Sequence, residues 1–160
     1  MATATKKPTA KKTTTVKSAK KLTSKEILAM LKAKYDEVFD DGGVYTIKGN
    51  GKWGFADANG DVKIKPCFSR VGEEWCDNII VTYGAEGIGF VNKKLEEIAK
   101  PQFSAAGNFQ KGMAAIKSKS GKWGIIDKKG KIIVPLIFDS ITISGGKITA
   151  KIGALEFITK

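Results

Sequence analysis

Polar and apolar residues alternate in two different ways along this chain. Thr23-Ser24-Lys25-Glu26 has the form of a helix capping box, with Thr23 as N-cap and Glu26 three residues on. Ile27, Met30, Leu31 and Lys34-Tyr35 follow at helical spacing, and Leu28 widens the apolar stripe. This predicts one helix over about 24–34, packed on whatever follows. Beyond it the period changes to two. Short alternating runs at Val44–Lys48, Trp53–Asp57, Asp61–Lys65, Ile79–Tyr83, Ile88–Asn92, Glu96–Lys100, Met113–Lys117, Trp123–Asp127, Lys131–Pro135, Ile148–Lys151 and Leu155–Thr159 predict about 11 strands.

These strands recur with a period of 35 residues. Gly51-Lys52-Trp53-Gly54-Phe55 returns as Glu86-Gly87-Ile88-Gly89-Phe90 and as Gly121-Lys122-Trp123-Gly124-Ile125. Gly153-Ala154-Leu155-Glu156-Phe157 is an eroded fourth copy, after a unit shortened to 32. Pro66, Pro101 and Leu136 share a register, as do Phe68, Phe103 and Phe138, and Asp57, Asn92 and Asp127. One unit reads as three strands, the second ended by Pro66, which has no N–H for the ladder. Gly60 and Gly130 suit a turn with positive φ. The middle unit has Leu95 there, which requires another turn geometry or a strained leucine.

Residues 34–160 resemble the WG (KWG) β-repeat family. Gly121 to Asp139 (GKWGIIDKKGKIIVPLIFD) matches most of a unit, and Phe109–Ile116 matches a second piece. Lys34-Tyr35-Asp36 matches the step that opens a unit. The resemblance implies a β-repeat scaffold and no catalytic residues. The expected fold is therefore all-β: tandem three-stranded WG-type repeats in a twisted meander or barrel-like array, with one short N-terminal helix. A three-stranded unit cannot bury its apolar face alone, so neighbouring units must share a core. Trp53, Trp123, Phe55, Phe90, Phe68, Phe103 and Phe138 are its expected packing residues. The shortened last unit is positioned to return and pair with the first, covering its edge.

Charge divides the chain further. Of the formal +12 over 160 residues, +8 lies in residues 1–25, which contain eight Lys and no acid. Residues 1–22 are poor in apolar side chains and read as a disordered basic arm, 23–34 as a capping helix and 35–160 as the repeat domain. Lys6, Lys7, Lys11, Lys12, Lys17, Lys20, Lys21 and Lys25 form a candidate polyanion-binding set. Lysines neutralise phosphates as point charges, so binding to nucleic acid would ignore sequence. The composition weakly resembles histone H1-like tails. Docking onto an acidic protein, solubility and organellar targeting are alternatives. Lys93, Lys94, Lys117, Lys119, Lys122, Lys128, Lys129 and Lys131 are candidates to extend that footprint onto the domain.

Candidate chemistry is sparse. The chain has no His, which removes Ser-His and Cys-His catalysis and His-ligated metals. Cys67 and Cys76 lack the spacing of a zinc site and read as thiols of a reducing compartment, with a disulfide between them left open. Asp57 and Asp127 suit turn capping. No phosphate-cradling glycine loop is present, and no apolar run reaches the roughly 18 residues of a membrane span. No cofactor or metal is expected. Trp75 falls outside the Trp register, in a connecting segment, and is the candidate interface residue.

The expected function is a noncatalytic structural or adaptor protein, binding partners through the β-repeat surface and the Lys-rich arm within a larger assembly. The alternative is nonspecific nucleic-acid binding or nucleoid compaction by the arm. Protein partners and sequence-independent nucleic acid are the expected partner classes. The expected location is cytoplasmic or within a nucleoprotein assembly.

Overall fold

The computed structural model describes residues 21–159. Helix α1 spans Ser24–Lys32 and is capped as the sequence requires. The Thr23 hydroxyl accepts from the Glu26 N–H at 3.3 Å, and the Glu26 carboxylate accepts from the Thr23 N–H at 2.7 Å. Ile27 and Leu31 point into a core with Val38, Tyr45, Ile47 and Ala56.

The rest of the described chain is 15 strands in four antiparallel meanders. The first sheet holds β1 (Glu37–Asp40), β2 (Val44–Gly49), β3 (Lys52–Asp57) and β4 (Val62–Phe68). The second holds β5 (Arg70–Val71), β6 (Ile79–Gly84), β7 (Gly87–Asn92) and β8 (Glu97–Phe103). The third holds β9 (Ala105–Ala106), β10 (Met113–Lys117), β11 (Trp123–Asp127) and β12 (Ile132–Phe138). The last has three strands, β13 (Ser140–Ser144), β14 (Lys147–Ile152) and β15 (Leu155–Ile158). Each expected strand is present. The sheets do not coincide with units of three strands opening at Trp53: β3 and β4 share a sheet with β2, the expected third strand (β6) falls in the next sheet, and each sheet gains a leading strand, β1, β5, β9 or β13. β5 and β9 are two residues long, too short to show alternation. The last sheet pairs only within itself, so it neither closes a barrel nor returns to the first.

Successive sheets share cores. Phe55 and Phe68 of the first sheet pack with Ile80, Val91 and Leu95 of the second. Phe90 and Phe103 of the second pack with Ala114, Ile116 and Ile126 of the third. Ile125 of the third packs with Ile141 and Ala150 of the last. The central strands of the second and third sheets are therefore apolar on both faces, whereas β13 and β14 alternate apolar with Ser, Thr and Lys. Helix α1 covers one end of this series, and that polar face finishes the other.

Pro66 does not end its strand. β4 runs on to Phe68 through a bulge, because β4 is an outer strand and its Pro lies where the ladder is already broken. Trp53 pairs with Phe68 and Phe55 with Ile64, so Gly54 alone stands opposite Lys65, Pro66 and Cys67. The same bulge sets Gly89 opposite Lys100, Pro101 and Gln102, and Gly124 opposite Pro135, Leu136 and Ile137. A Cβ on Gly54 or Gly124 would lie 2.5 Å from the carbonyl oxygen of Ile64 or Val134. These glycines are required by close backbone approach.

The bonding pattern also corrects the register of the last unit. The N–H groups of Asp36, Ser69, Ser104 and Asp139 donate to the carbonyls of Lys48, Tyr83, Lys117 and Lys151 at 2.8–2.9 Å. Those four residues pair with Trp53, Ile88, Trp123 and Glu156. Glu156 therefore takes the Trp position and Phe157 the Gly position, one residue away from the sequence match.

Leu95 sits at φ 63°, matching Gly60 at 82° and Gly130 at 80°. It keeps the turn geometry of its neighbours and accepts the strain, offset by burying its side chain in the core between the first two sheets.

Gly124→Ala is expected to destabilise the protein by about 3 kcal/mol, as overpacking against a rigid backbone does. Gly121→Ala, at φ 89° with open space around it, should cost only about 1 kcal/mol. Urea denaturation of both variants checks the contrast.

Candidate groove between the first two sheets

Residues 1–20 lie outside the described residues, and with them Lys6, Lys7, Lys11, Lys12, Lys17 and Lys20. Lys21 and Lys25 are exposed. Most of the domain lysines proposed to extend their footprint have partners of their own. Lys93 donates to the Asp41 carbonyl at 3.0 Å, and Lys122 pairs with Asp139 at 2.6 Å. Lys128 lies 3.7 Å from Asp77, Lys119 lies 3.6 Å from Glu86, and Lys117 stands 5.6 Å over Trp123.

Among the expected core residues, Phe55, Phe68, Phe90 and Phe103 are buried, while Trp53, Trp123 and Phe138 are half-buried. Trp and Phe of the repeated motif are two apart on a strand and share one face, toward the following sheet.

Trp75 comes from the segment between β5 and β6. Its ring meets Phe55 edge-on at 5.6 Å. Phe109, 34 residues later, meets Phe90 edge-on at 5.0 Å. Ile143, another 34 on, packs against the core of the last two sheets. Trp75 is thus one member of a repeated wedge. Its spacing of 34 is out of step with the 35 of the Trp–Gly register, which is why it looked solitary.

Trp75 also forms one wall of an open groove of about 320 Å³. Phe39 of β1 and Trp53 of β3 form the opposite side, their ring centroids 5.9 Å apart. Ile80 and Val71 line it from the second sheet, and Asp41, Thr46, Arg70 and Glu73 supply its polar rim. Asp41 accepts from the Thr46 hydroxyl at 2.6 Å, which orients its carboxylate. Arg70 is held with its guanidinium 3.9 Å from the Tyr83 ring. The Trp75 indole N–H is buried without a hydrogen-bond partner. An apolar cleft with a few oriented polar groups is the form of a recognition site, and sequence reading missed its assembly because its parts come from β1, β3 and the segment after β5.

Among the described residues no group of three or more Cys, Asp or Glu is placed to hold a metal ion. Cys67 and Cys76 are unpaired, and burial, then the carboxylate of Glu97, pushes the Cys67 thiol up, away from the thiolate. Among the described residues no helix is long and apolar enough to cross a membrane.

Asp57 occupies a turn. Its carboxylate accepts from the N–H groups of Asn59 and Asp61 at 2.9 and 3.1 Å, and Lys63 lies 3.2 Å away. Asp127 makes the same two turn bonds, and Asn92 makes them with an amide oxygen. Burial raises the Asp57 carboxyl, but the Asn59 N–H, Lys63 and the Asp61 N–H outweigh it, and its pKa falls below the ordinary 3.8.

Residues 88–123 and 123–155 match the family model described as WG containing repeat. No curated protein matches the chain. Among solved structures, the computationally designed Ika8 protein aligns over 71% of this chain and 41% of its own, at 10% identity and TM-score 0.39. BamB from Moraxella catarrhalis aligns over 71% of this chain and 39% of its own, at 12% identity and TM-score 0.39. The chain thus spans about two fifths of the length of each.

The lowered Asp57 pKa contributes stability that is present above the unfolded value of 3.8 and is lost as pH falls through the lower folded value. Asp57→Asn keeps both turn bonds, as Asn92 does, and should change stability at neutral pH by only about 0.5 kcal/mol. Its stability should then fall less than that of the native protein between neutral pH and pH values below 3.8, which urea titrations at the two pH values would show.

Proposed function

We propose, on the premise that this chain is a WG-repeat protein, that it is a noncatalytic adaptor whose β-repeat domain binds a protein partner and whose Lys-rich arm adds a second contact, to an acidic surface. Repeat scaffolds suggest protein interaction, since stacked units present a continuous surface. The observation that carries the reading is the groove of Phe39, Trp53 and Trp75 with its rim of Asp41, Arg70 and Glu73. Aromatic and arginine side chains around an apolar cleft are the composition of interface hot spots. A larger assembly, cytoplasmic or nucleoprotein in character, is the setting this reading implies.

Recovery of the native complex from cells, with and without nuclease, tests it. The partner protein should remain after nuclease treatment. Phe39→Ala and Arg70→Glu, both at the rim of the groove, should each reduce its recovery while the domain stays folded. A complex that dissolves with nuclease, or one indifferent to both substitutions, would end the groove reading.

A second reading is supported by the eight lysines, without an acid, in residues 1–25: weak, sequence-independent binding of DNA or RNA. Gel shifts at low salt should show it, and deletion of residues 1–22 should abolish it. With about six phosphate contacts, affinity should fall about 1,000-fold between about 50 and 200 mM salt. Absence of any shift at low salt would rule it out.

A further inference from the structure

Exposed large apolar side chains are not spread evenly. Six of the eight among the described residues lie on two outer strands: Ile132, Ile133 and Ile137 on β12, and Leu155, Phe157 and Ile158 on β15. The two strands meet where Phe138 and Phe157 pack edge-on at 6.0 Å. Outer strands expose unpaired backbone N–H and C=O groups, and natural sheets blunt them with Pro, Lys or a bulge. β4, β8 and β12 each carry a bulge with Pro66, Pro101 or Pro135 in the strand. β15 reads Leu-Glu-Phe-Ile and has neither Pro nor Lys, and its pairing with β14 is regular.

Phe157 restricts what β15 accepts as a neighbour. It stands where Gly54, Gly89 and Gly124 stand, and its side chain fills the place into which the outer strand of the other sheets folds its bulge. A bulged strand of the repeat type is excluded there, while a straight one fits. β15 is itself such a strand.

We propose that β15 is a self-association edge that pairs antiparallel with β15 of a second copy of this chain, about a two-fold axis through Phe157. Residues directly opposite in an antiparallel pair share a face. Phe157 then meets its own equivalent, Glu156 faces Ile158, and Leu155 faces Thr159. No like charges are juxtaposed, so the edge is complementary to itself, as a two-fold interface must be. Two three-stranded sheets become one of six, and the apolar band continuing onto β12 flanks the seam. Because the pairing closes on itself, the product is a dimer. It does not depend on the groove between the first two sheets.

Sedimentation velocity of the full chain from low to high micromolar concentration tests the proposal. A monomer–dimer equilibrium is expected. Phe157→Lys should weaken it by about tenfold or more, the equivalent of about 1.4 kcal/mol, with circular dichroism unchanged. Ile158→Lys, at a side chain that is 54% exposed, should do the same and serves if Phe157→Lys fails to fold. A chain that stays monomeric throughout, species growing beyond a dimer, or a dimer unaffected by a folded Lys variant would each overturn it.

Discussion

Three glycines that have no room for a Cβ hold this architecture together. At Gly54, Gly89 and Gly124 the bulged backbone of the outer strand comes too close for any other residue. The bulge lets a proline remain within each outer strand and places Phe68, Phe103 and Phe138 opposite the Trp position. That pairing puts two large side chains on the face that meets the next sheet. The glycine, the proline and the pair of large apolar side chains are therefore one packing solution repeated three times.

The ends of the series follow from the same constraint. An inner sheet has two apolar faces and needs a neighbour on each. Helix α1 supplies the missing neighbour at the start, setting Ile27 and Leu31 against Tyr45 and Ala56. At Gly60 a Cβ would meet Met30 and Ile27 at 2.8 and 2.9 Å. At the other end the sequence puts Ser140, Thr142, Lys147 and Lys151 on the outer face and replaces the critical glycine by Phe157. There the outer face is polar, and a bulged strand of the kind seen in the other sheets has no room opposite Phe157.

The groove lies where two units join. The groove uses Phe39 and Trp53 from one sheet and Trp75, Arg70 and Glu73 from the next. Its wedge position holds Trp75, Phe109 and Ile143 in successive units, so one structural slot carries a different side chain at each junction. A repeat can in this way keep one fold while varying what each junction presents.

The sequence by itself determined the all-β repeat, the capped helix, the positions of 11 of the 15 strands and the Asx turns at Asp57 and Asp127. Each of these is local: a capping box, an alternation, or a side chain bonding its own turn. It also identified Leu95 as the residue at the turn-glycine position, and only the structure decided that it keeps the glycine conformation. Only tertiary structure decided the rest. The two-residue strands β5 and β9 exist because a neighbouring strand pairs with them, not through any pattern of their own. Pro66 continues its strand because a glycine across the ladder makes space for the bulge. The last unit's register is set by which carbonyl Asp139 bonds, and a shift of one residue exchanges the two faces of a strand. Trp75 meets Phe39 and Trp53 only because consecutive sheets stack, a long-range arrangement that no single repeat specifies.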